Sequence, residues 1–206
     1  MAFTATDGPG ITASQALRRL VEGNRRFVRG DARFPTVQKK ILSQLAREQR
    51  PYATILGCSD SRVPPELLFD AGFGELFVIR VAGNVLSPEV AGSLQYAGVH
   101  LKTPLFVVLG HEGCGAVGAA MDTHFHKVRH RSRIAKLVNK IVPAIKGLNP
   151  ERPPDLLLSR AVEANVRWNI KQIRNSPEGQ ARVGEGRLKL AGAIYEIKTG
   201  RVRFLA

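Results

Sequence analysis

The sequence holds only two cysteines in 206 residues, Cys58 and Cys114, so at most one disulfide is available to it. No apolar run approaches the length of a membrane span. The stretch 1–10 lacks the basic and then apolar order of a secretory signal, and a cytoplasmic location is expected. Internal repeats, low-complexity tracts and long linkers are absent, and 206 residues suit one domain over 1–206 with a sizeable core. Acidic residues are scarce: 17 Asp+Glu stand against 31 Lys+Arg, a net charge of +14. From Lys127 onward there are 18 basic residues and 6 acidic ones. These basic residues show no aromatic interleaving and no nucleic-acid motif, so a solvated surface is expected, with neither nucleic acid nor membrane as partner. Such a surface also suits an enzyme handling a small anion, by electrostatic focusing.

The pattern that is present alternates helices with short apolar runs. Thr12 and Gln15 read as a capping box, followed by Leu17, Leu20, Val21, Phe27 and Val28 at helical spacing and a stop at Gly30. Val37, Ile41, Leu42 and Leu45 mark a second amphipathic helix, giving an N-terminal helical arm over about 12–48. A buried strand is expected at 52–57, and further strands at 75–80 and 105–109. Pro64 and Pro65 open a short helix, and Ser87-Pro88-Glu89 opens another. Further helices are expected at 113–121, 134–145 and 156–173, with a terminal hairpin from 188–195 and 202–205. This order implies an α/β fold: a mostly parallel central sheet of four strands, an antiparallel edge strand, and helices on both faces.

Both cysteines lie just after expected strands, in Gly57-Cys58-Ser59-Asp60-Ser61-Arg62 and Gly110-His111-Glu112-Gly113-Cys114-Gly115. Open α/β sheets place their sites at such carboxyl ends. Two thiolates and one imidazole form a three-ligand set for a catalytic zinc, whose fourth position is left for water. A structural zinc site would want a second ligand pair, which the chain lacks. The competing reading is two unrelated buried cysteines and a satisfied histidine. Asp60 and Arg62 are the charged pair nearest the proposed metal, two residues apart and able to pair through both carboxylate oxygens; a plain turn pair is the alternative. His124, His126 and His130 form a second local cluster, open to a metal or proton-relay role but read as a solvated loop. The glycines of 110–118 lack the Gly-Lys-Ser/Thr ending of a phosphate loop.

Cys-Ser-Asp-Ser-Arg-Val at 58–63 together with Gly-His-x-x-Cys-Gly at 110–115 resembles the β-class carbonic anhydrases, and the likeness runs over about 49–117. The resemblance implies one zinc on Cys58, His111 and Cys114, with Asp60 and Arg62 as a catalytic dyad. It implies that Asp60 itself reaches the metal only in a closed state. It further implies substrate contacts from Gln49, acting in a neighbouring subunit's site, and from Phe77, Tyr96 and Gly115. The reaction implied is reversible hydration of CO₂ to bicarbonate, in a homodimer or dimer of dimers. Arg80 and Tyr195 match two of three residues of a regulatory bicarbonate pocket found in one subgroup. The third, a tryptophan, is Ile55 here, and the only tryptophan is Trp168, so the unregulated subgroup is the better match. Hydrolysis of COS or CS₂ on the same metal, or a non-catalytic basic binding module, are the other functions considered.

Overall fold

The computed structural model describes residues 8–33, 42–43 and 45–206. Five strands form one sheet in the order β2-β1-β3-β4-β5. They are β1 (Ala53–Gly57), β2 (Leu76–Arg80), β3 (Leu105–His111), β4 (Lys189–Glu196) and β5 (Arg201–Phe204). The first four in that order run parallel, and β5 lies antiparallel to β4. β1 and β3 are buried at every residue, which is why both read as unbroken apolar runs rather than as alternating ones.

Each face of the sheet is covered. Along β3, Phe106 and Val108 enter one apolar cluster, and Leu105, Val107 and Leu109 enter the other, as the period of two in a strand requires. The first cluster takes in α3 (Pro88–Val99), α4 (Gly115–Phe125), α5 (Ser132–Ile145) and α6 (Pro154–Asn175). The second takes in α1 (Ala13–Arg29) and α2 (Pro65–Leu68). A further short helix, α7 (Pro177–Gly184), leads into β4.

α1 begins at the expected capping box, in which Thr12 and Gln15 bond each other's backbone N–H groups, and ends at Gly30 in a left-handed conformation. Its packed face presents Ala16, Leu20, Gly23 and Asn24, all buried. Gly23 allows close approach, since a Cβ there would lie 1.8 Å from the Phe69 carbonyl oxygen. Asn24 ties three backbone groups together. Its Nδ2 donates to Leu68 O at 3.1 Å and Gly200 O at 2.9 Å, and its Oδ1 accepts from Val202 N at 2.8 Å. Leu42, Ser43 and Leu45 of the expected second helix are helical; Val37 and Ile41 lie outside the described residues.

The helix boundary beside the two motifs differs from expectation. α4 starts at Gly115, not 113, because Gly113 has φ +63° and Cys114 is extended. His111 therefore closes β3, Cys114 caps α4, and the left-handed Gly113 turns the chain between them. No helix among the described residues is long and apolar enough to cross a membrane.

Candidate metal centre

β1 and β3 are neighbours in the sheet, so the residues that follow them meet at its carboxyl end. Cys58 follows β1 directly, His111 is the last residue of β3, and Cys114 lies one turn on. Their ligand atoms all fall within 4.8 Å of one another, and all three side chains are buried. Ligands on a tetrahedral zinc with such bonds sit about 3.5–3.8 Å apart, so the group fits that ion without rearrangement of its elements.

The imidazole is oriented for the same task. His111 Nδ1 lies 2.8 Å from the Glu112 carbonyl oxygen. A carbonyl only accepts, so Nδ1 carries the proton and Nε2 keeps its lone pair. Nε2 is buried and has no hydrogen-bond partner among the described residues. An imidazole lone pair left without a partner in a buried setting is costly, and a metal ion satisfies it. Burial lowers the affinity of His111 for a second proton, but the Cys58 sulfur and the Glu112 carbonyl outweigh burial and the net shift is upward.

The sulfurs point the same way. The Cys114 thiol hydrogen-bonds to Cys58, which holds Cys58 well below the ordinary thiol range despite its burial. Backbone N–H groups of Gly83 and Asp60 and the His111 side chain add to this. Cys114 is correspondingly pushed up, first by Cys58 and then by burial, while the amides of Val117 and Ala116 at the start of α4 oppose the shift. Two adjacent thiolates require a cation, and a divalent ion balances both. Both cysteines are free thiols.

Asp60 and Arg62 form the fork-to-fork pair their spacing predicts. Arg62 Nε donates to Asp60 Oδ1 at 2.9 Å, Nη2 donates to Oδ2 at 2.8 Å, and the Arg62 backbone N–H adds a third bond to Oδ1 at 3.0 Å. Arg62 thereby holds the Asp60 carboxyl far below the usual carboxylate range. Asp60 Oδ2 is 3.9 Å from His111 Nε2, so the carboxylate stands beside the ligand group.

Arg80, which the resemblance places among the residues of a regulatory pocket, clamps the loop of the site with its guanidinium, donating to Cys58 O at 3.0 Å and to Asp60 O at 2.6 Å. The register Gly57↔Arg80 between β1 and β2 puts it there.

Phe77 and Tyr96 are brought together, with ring centroids 6.0 Å apart. Phe77 packs on the apolar cluster that contains Cys58 and Cys114. Gly115 opens α4 with open space where a Cβ would project. Gln49 lies in exposed coil ahead of β1 and makes no hydrogen bond to the thiol–imidazole group among the described residues. His124, His126 and His130 do not converge on a second metal group among the described residues. His130 Nε2 lies 3.3 Å from the Ala119 carbonyl oxygen, and His124 stacks edge-on with Phe125.

Comparison with known proteins gives a consistent picture. The family described as carbonic anhydrase matches residues 53–202. Carbonic anhydrase 2 of Mycobacterium tuberculosis (strain CDC 1551 / Oshkosh) is 36% identical over 198 residues, covering 94% of this chain and 93% of the relative. Carbonic anhydrase of Mycolicibacterium smegmatis is 40% identical over 197 residues, covering 94% of each chain. Among solved structures, the β-carbonic anhydrase CcaA superposes with a TM-score of 0.74 at 26% identity, covering 92% of this chain and 95% of that one. The Coccomyxa β-carbonic anhydrase in complex with acetazolamide superposes with a TM-score of 0.74 at 29% identity, covering 92% and 86%.

Proposed function

The chain belongs to the β-class carbonic anhydrase family, zinc enzymes that hydrate CO₂ reversibly, and we propose that here the ion is held by Cys58, His111 and Cys114 with Asp60 and Arg62 beside it. The observation that carries this assignment is the convergence of three buried donor atoms with His111 Nε2 left unpaired. Zinc bound there acts as a Lewis acid that brings the pKa of a water down towards neutrality.

The residues around it have separate tasks. Asp60, fixed on both oxygens by Arg62, accepts a hydrogen bond from the attacking water and fixes which lone pair faces the CO₂ carbon. By holding both oxygens, Arg62 would also keep the carboxylate from turning onto the metal, the contact Asp60 would make in a closed state. Phe77 and Tyr96 offer an apolar wall to CO₂. Gln49 and the N–H of Gly115 hold the bicarbonate oxygens as charge develops on them. Water adds to CO₂, bicarbonate leaves, and the released proton passes to solvent.

A dimer completes this arrangement. Gln49 lies in exposed coil with no hydrogen bond to the ligand group of its own chain among the described residues, and β2 is an edge strand with half-buried Phe77 and Ile79. Within the single domain 1–206, the N-terminal arm over about 12–48 keeps α1 on its own chain's sheet, and pairing of two chains across the β2 edge would carry Gln49 to the neighbouring site. The compartment proposed is the cytoplasm, where two adjacent thiols stay reduced.

The test is stopped-flow CO₂ hydration by zinc-loaded protein and by Asp60→Asn. The wild type is expected to hydrate CO₂. Asp60→Asn is expected to keep its zinc and lose on the order of 10²-fold in rate, the scale of a positioned proton acceptor. An unchanged rate and pH profile in a variant that retains zinc would make Asp60–Arg62 a structural turn pair. COS hydrolysis that outpaces CO₂ hydration would reassign the substrate.

A further inference from the structure

The turn that follows β2 runs beneath the metal group. It contains a single 3₁₀ turn, Ala82–Asn84, with Gly83 at φ 66°, ψ 18°. A Cβ on Gly83 would lie 2.7 Å from Ile141 Cδ1 and 3.0 Å from Ala116 Cβ. Glycine is therefore required here on two counts, a left-handed backbone and close packing. The N–H of Gly83 donates to Cys58 Sγ at 3.3 Å. Its carbonyl, on the other side of the same residue, accepts from Asn165 Nδ2 at 2.8 Å.

Asn165 stands on α6, 1% exposed, inside the apolar cluster. Its amide has one possible orientation. Gly83 O can only accept, so Nδ2 faces it, and Oδ1 accepts from Asn169 Nδ2 at 3.1 Å. Asn169, also 1% exposed, is fixed by the same logic. Its Oδ1 accepts from the Leu86 N–H at 3.0 Å and from Gln172 Nε2 at 3.2 Å. An amide ladder on one helix thus grips both ends of the 83–86 turn, and the turn in turn points one N–H at a ligand sulfur. Two amides at i and i+4 on a buried helix face are costly to desolvate. Satisfying two backbone groups accounts for their hydrogen bonds, and pinning Gly83 gives those bonds a consequence at the metal.

We propose that Asn165 is a positioning residue for the metal ligand Cys58. It holds the Gly83 peptide so that its N–H stays on the sulfur, and that bond draws electron density from the thiolate. With the bond in place Cys58 donates less charge and the bound ion is a stronger Lewis acid. This inference rests on Cys58, His111 and Cys114 holding the metal.

The experiment uses protein loaded with Co(II), read by its sulfur-to-cobalt charge-transfer band, and zinc affinity by competition with a chromophoric chelator. Asn165→Ser keeps the position polar but is too short to reach Gly83 O. Val162→Ala, on the same helix and in the same apolar cluster, is a control for destabilisation alone. Asn165→Ser is expected to move the band to lower energy, because a thiolate without its hydrogen bond is easier to oxidise. Its zinc affinity is expected to fall on the order of 10–100-fold, as for other partners that orient metal ligands. Val162→Ala is expected to lose thermal stability with the band unmoved. A band at the wild-type energy in Asn165→Ser, with affinity unchanged, overturns the proposal and leaves Asn165 a purely structural amide. Absence of the band from the wild type overturns the ligand assignment as well, and so separates the two failures. Should Asn165→Ser fail to fold, Asn165→Gln, which keeps the donor but displaces it, is read by the same band. A shift supports the proposal and a wild-type band overturns it.

Discussion

Arg80 holds Asp60 by its backbone rather than by its charge: Nη2 donates to the Asp60 carbonyl oxygen at 2.6 Å, while Nε donates to the Cys58 carbonyl oxygen at 3.0 Å. A residue of β2 therefore sets the shape of the loop that presents both a proposed zinc ligand and a proposed catalytic carboxylate. Arg80→Ala should lower stability by about 1.5–3 kcal/mol, the range for hydrogen bonds involving a charged group. It should also lower hydration activity with zinc still bound. Arg80→Lys should recover little, since one ammonium does not reproduce the two-point fork. Urea midpoints and stopped-flow rates on the same samples check both parts.

Asn24 should prove to be the largest single polar contribution outside the site. It satisfies three backbone groups from segments far apart in sequence, at Leu68, Gly200 and Val202. Asn24→Ala leaves those groups unpaired, the Leu68 carbonyl among buried surroundings, and a loss of about 2–4 kcal/mol is expected. Equilibrium denaturation measures it, and a loss below about 1 kcal/mol would mean that water replaces the amide.

Much of this was legible from the residues alone. Three apolar runs alternating with helices, and a terminal hairpin after them, indicated the mostly parallel sheet, and the Thr12–Gln15 box and Gly30 bounded α1 to the residue. Cys58, His111 and Cys114 were legible because the chemistry of three ligands is local to two short motifs. Less was legible where the cause is tertiary. The geometry after His111 depends on the left-handed Gly113, and a glycine does not announce its φ. α7 was missed although Ser176-Pro177-Glu178 repeats the pattern of Ser87-Pro88-Glu89. Ser87 and Ser176 both cap their helices, accepting from Val90 and Gly179 respectively, so that signal was present and unread. Asn165 and Asn169 sit in an otherwise apolar helix face as two ordinary amides. Only the fold shows that they face the turn next to Cys58.

The pH dependence of stability has a definite sign at Asp60. Its carboxyl is depressed by Arg62, so the pair contributes stability that is fully present above the unfolded carboxylate value near 4 and is lost as pH falls through the lower folded value. The contribution is small, because Arg62 is 55% exposed. Denaturant midpoints of metal-stripped protein should therefore be insensitive to this pair from pH 5 to 8. Wild type and Asp60→Asn should converge as the pH is lowered below about 4. Curves that stay parallel down to pH 2 would contradict the assignment.

Removing the metal should leave Cys58 and Cys114 adjacent and without the cation that balances two thiolates. Chelator treatment is expected to lower the melting temperature by several degrees, and zinc to restore it with release of protons from the thiols. Cys58→Ser and Cys114→Ser should each reduce zinc retention, and the melting temperature of each should respond weakly to added zinc. Calorimetric titration at two pH values, in buffers of different ionisation enthalpy, counts the protons directly. Zinc binding without proton release would mean that the sulfurs are not the ligands.

The most direct test of the whole account is a back-titration. Metal-stripped protein receives zinc in fractions of an equivalent, and CO₂ hydration is followed by stopped flow at each step. Hydration should start near the uncatalysed rate, rise linearly and break at one zinc per chain, and His111→Ala should show no such rise. A rate that is high before zinc is added, or that stays at the uncatalysed level with one zinc bound per chain, would contradict the claim that Cys58, His111 and Cys114 form the catalytic centre.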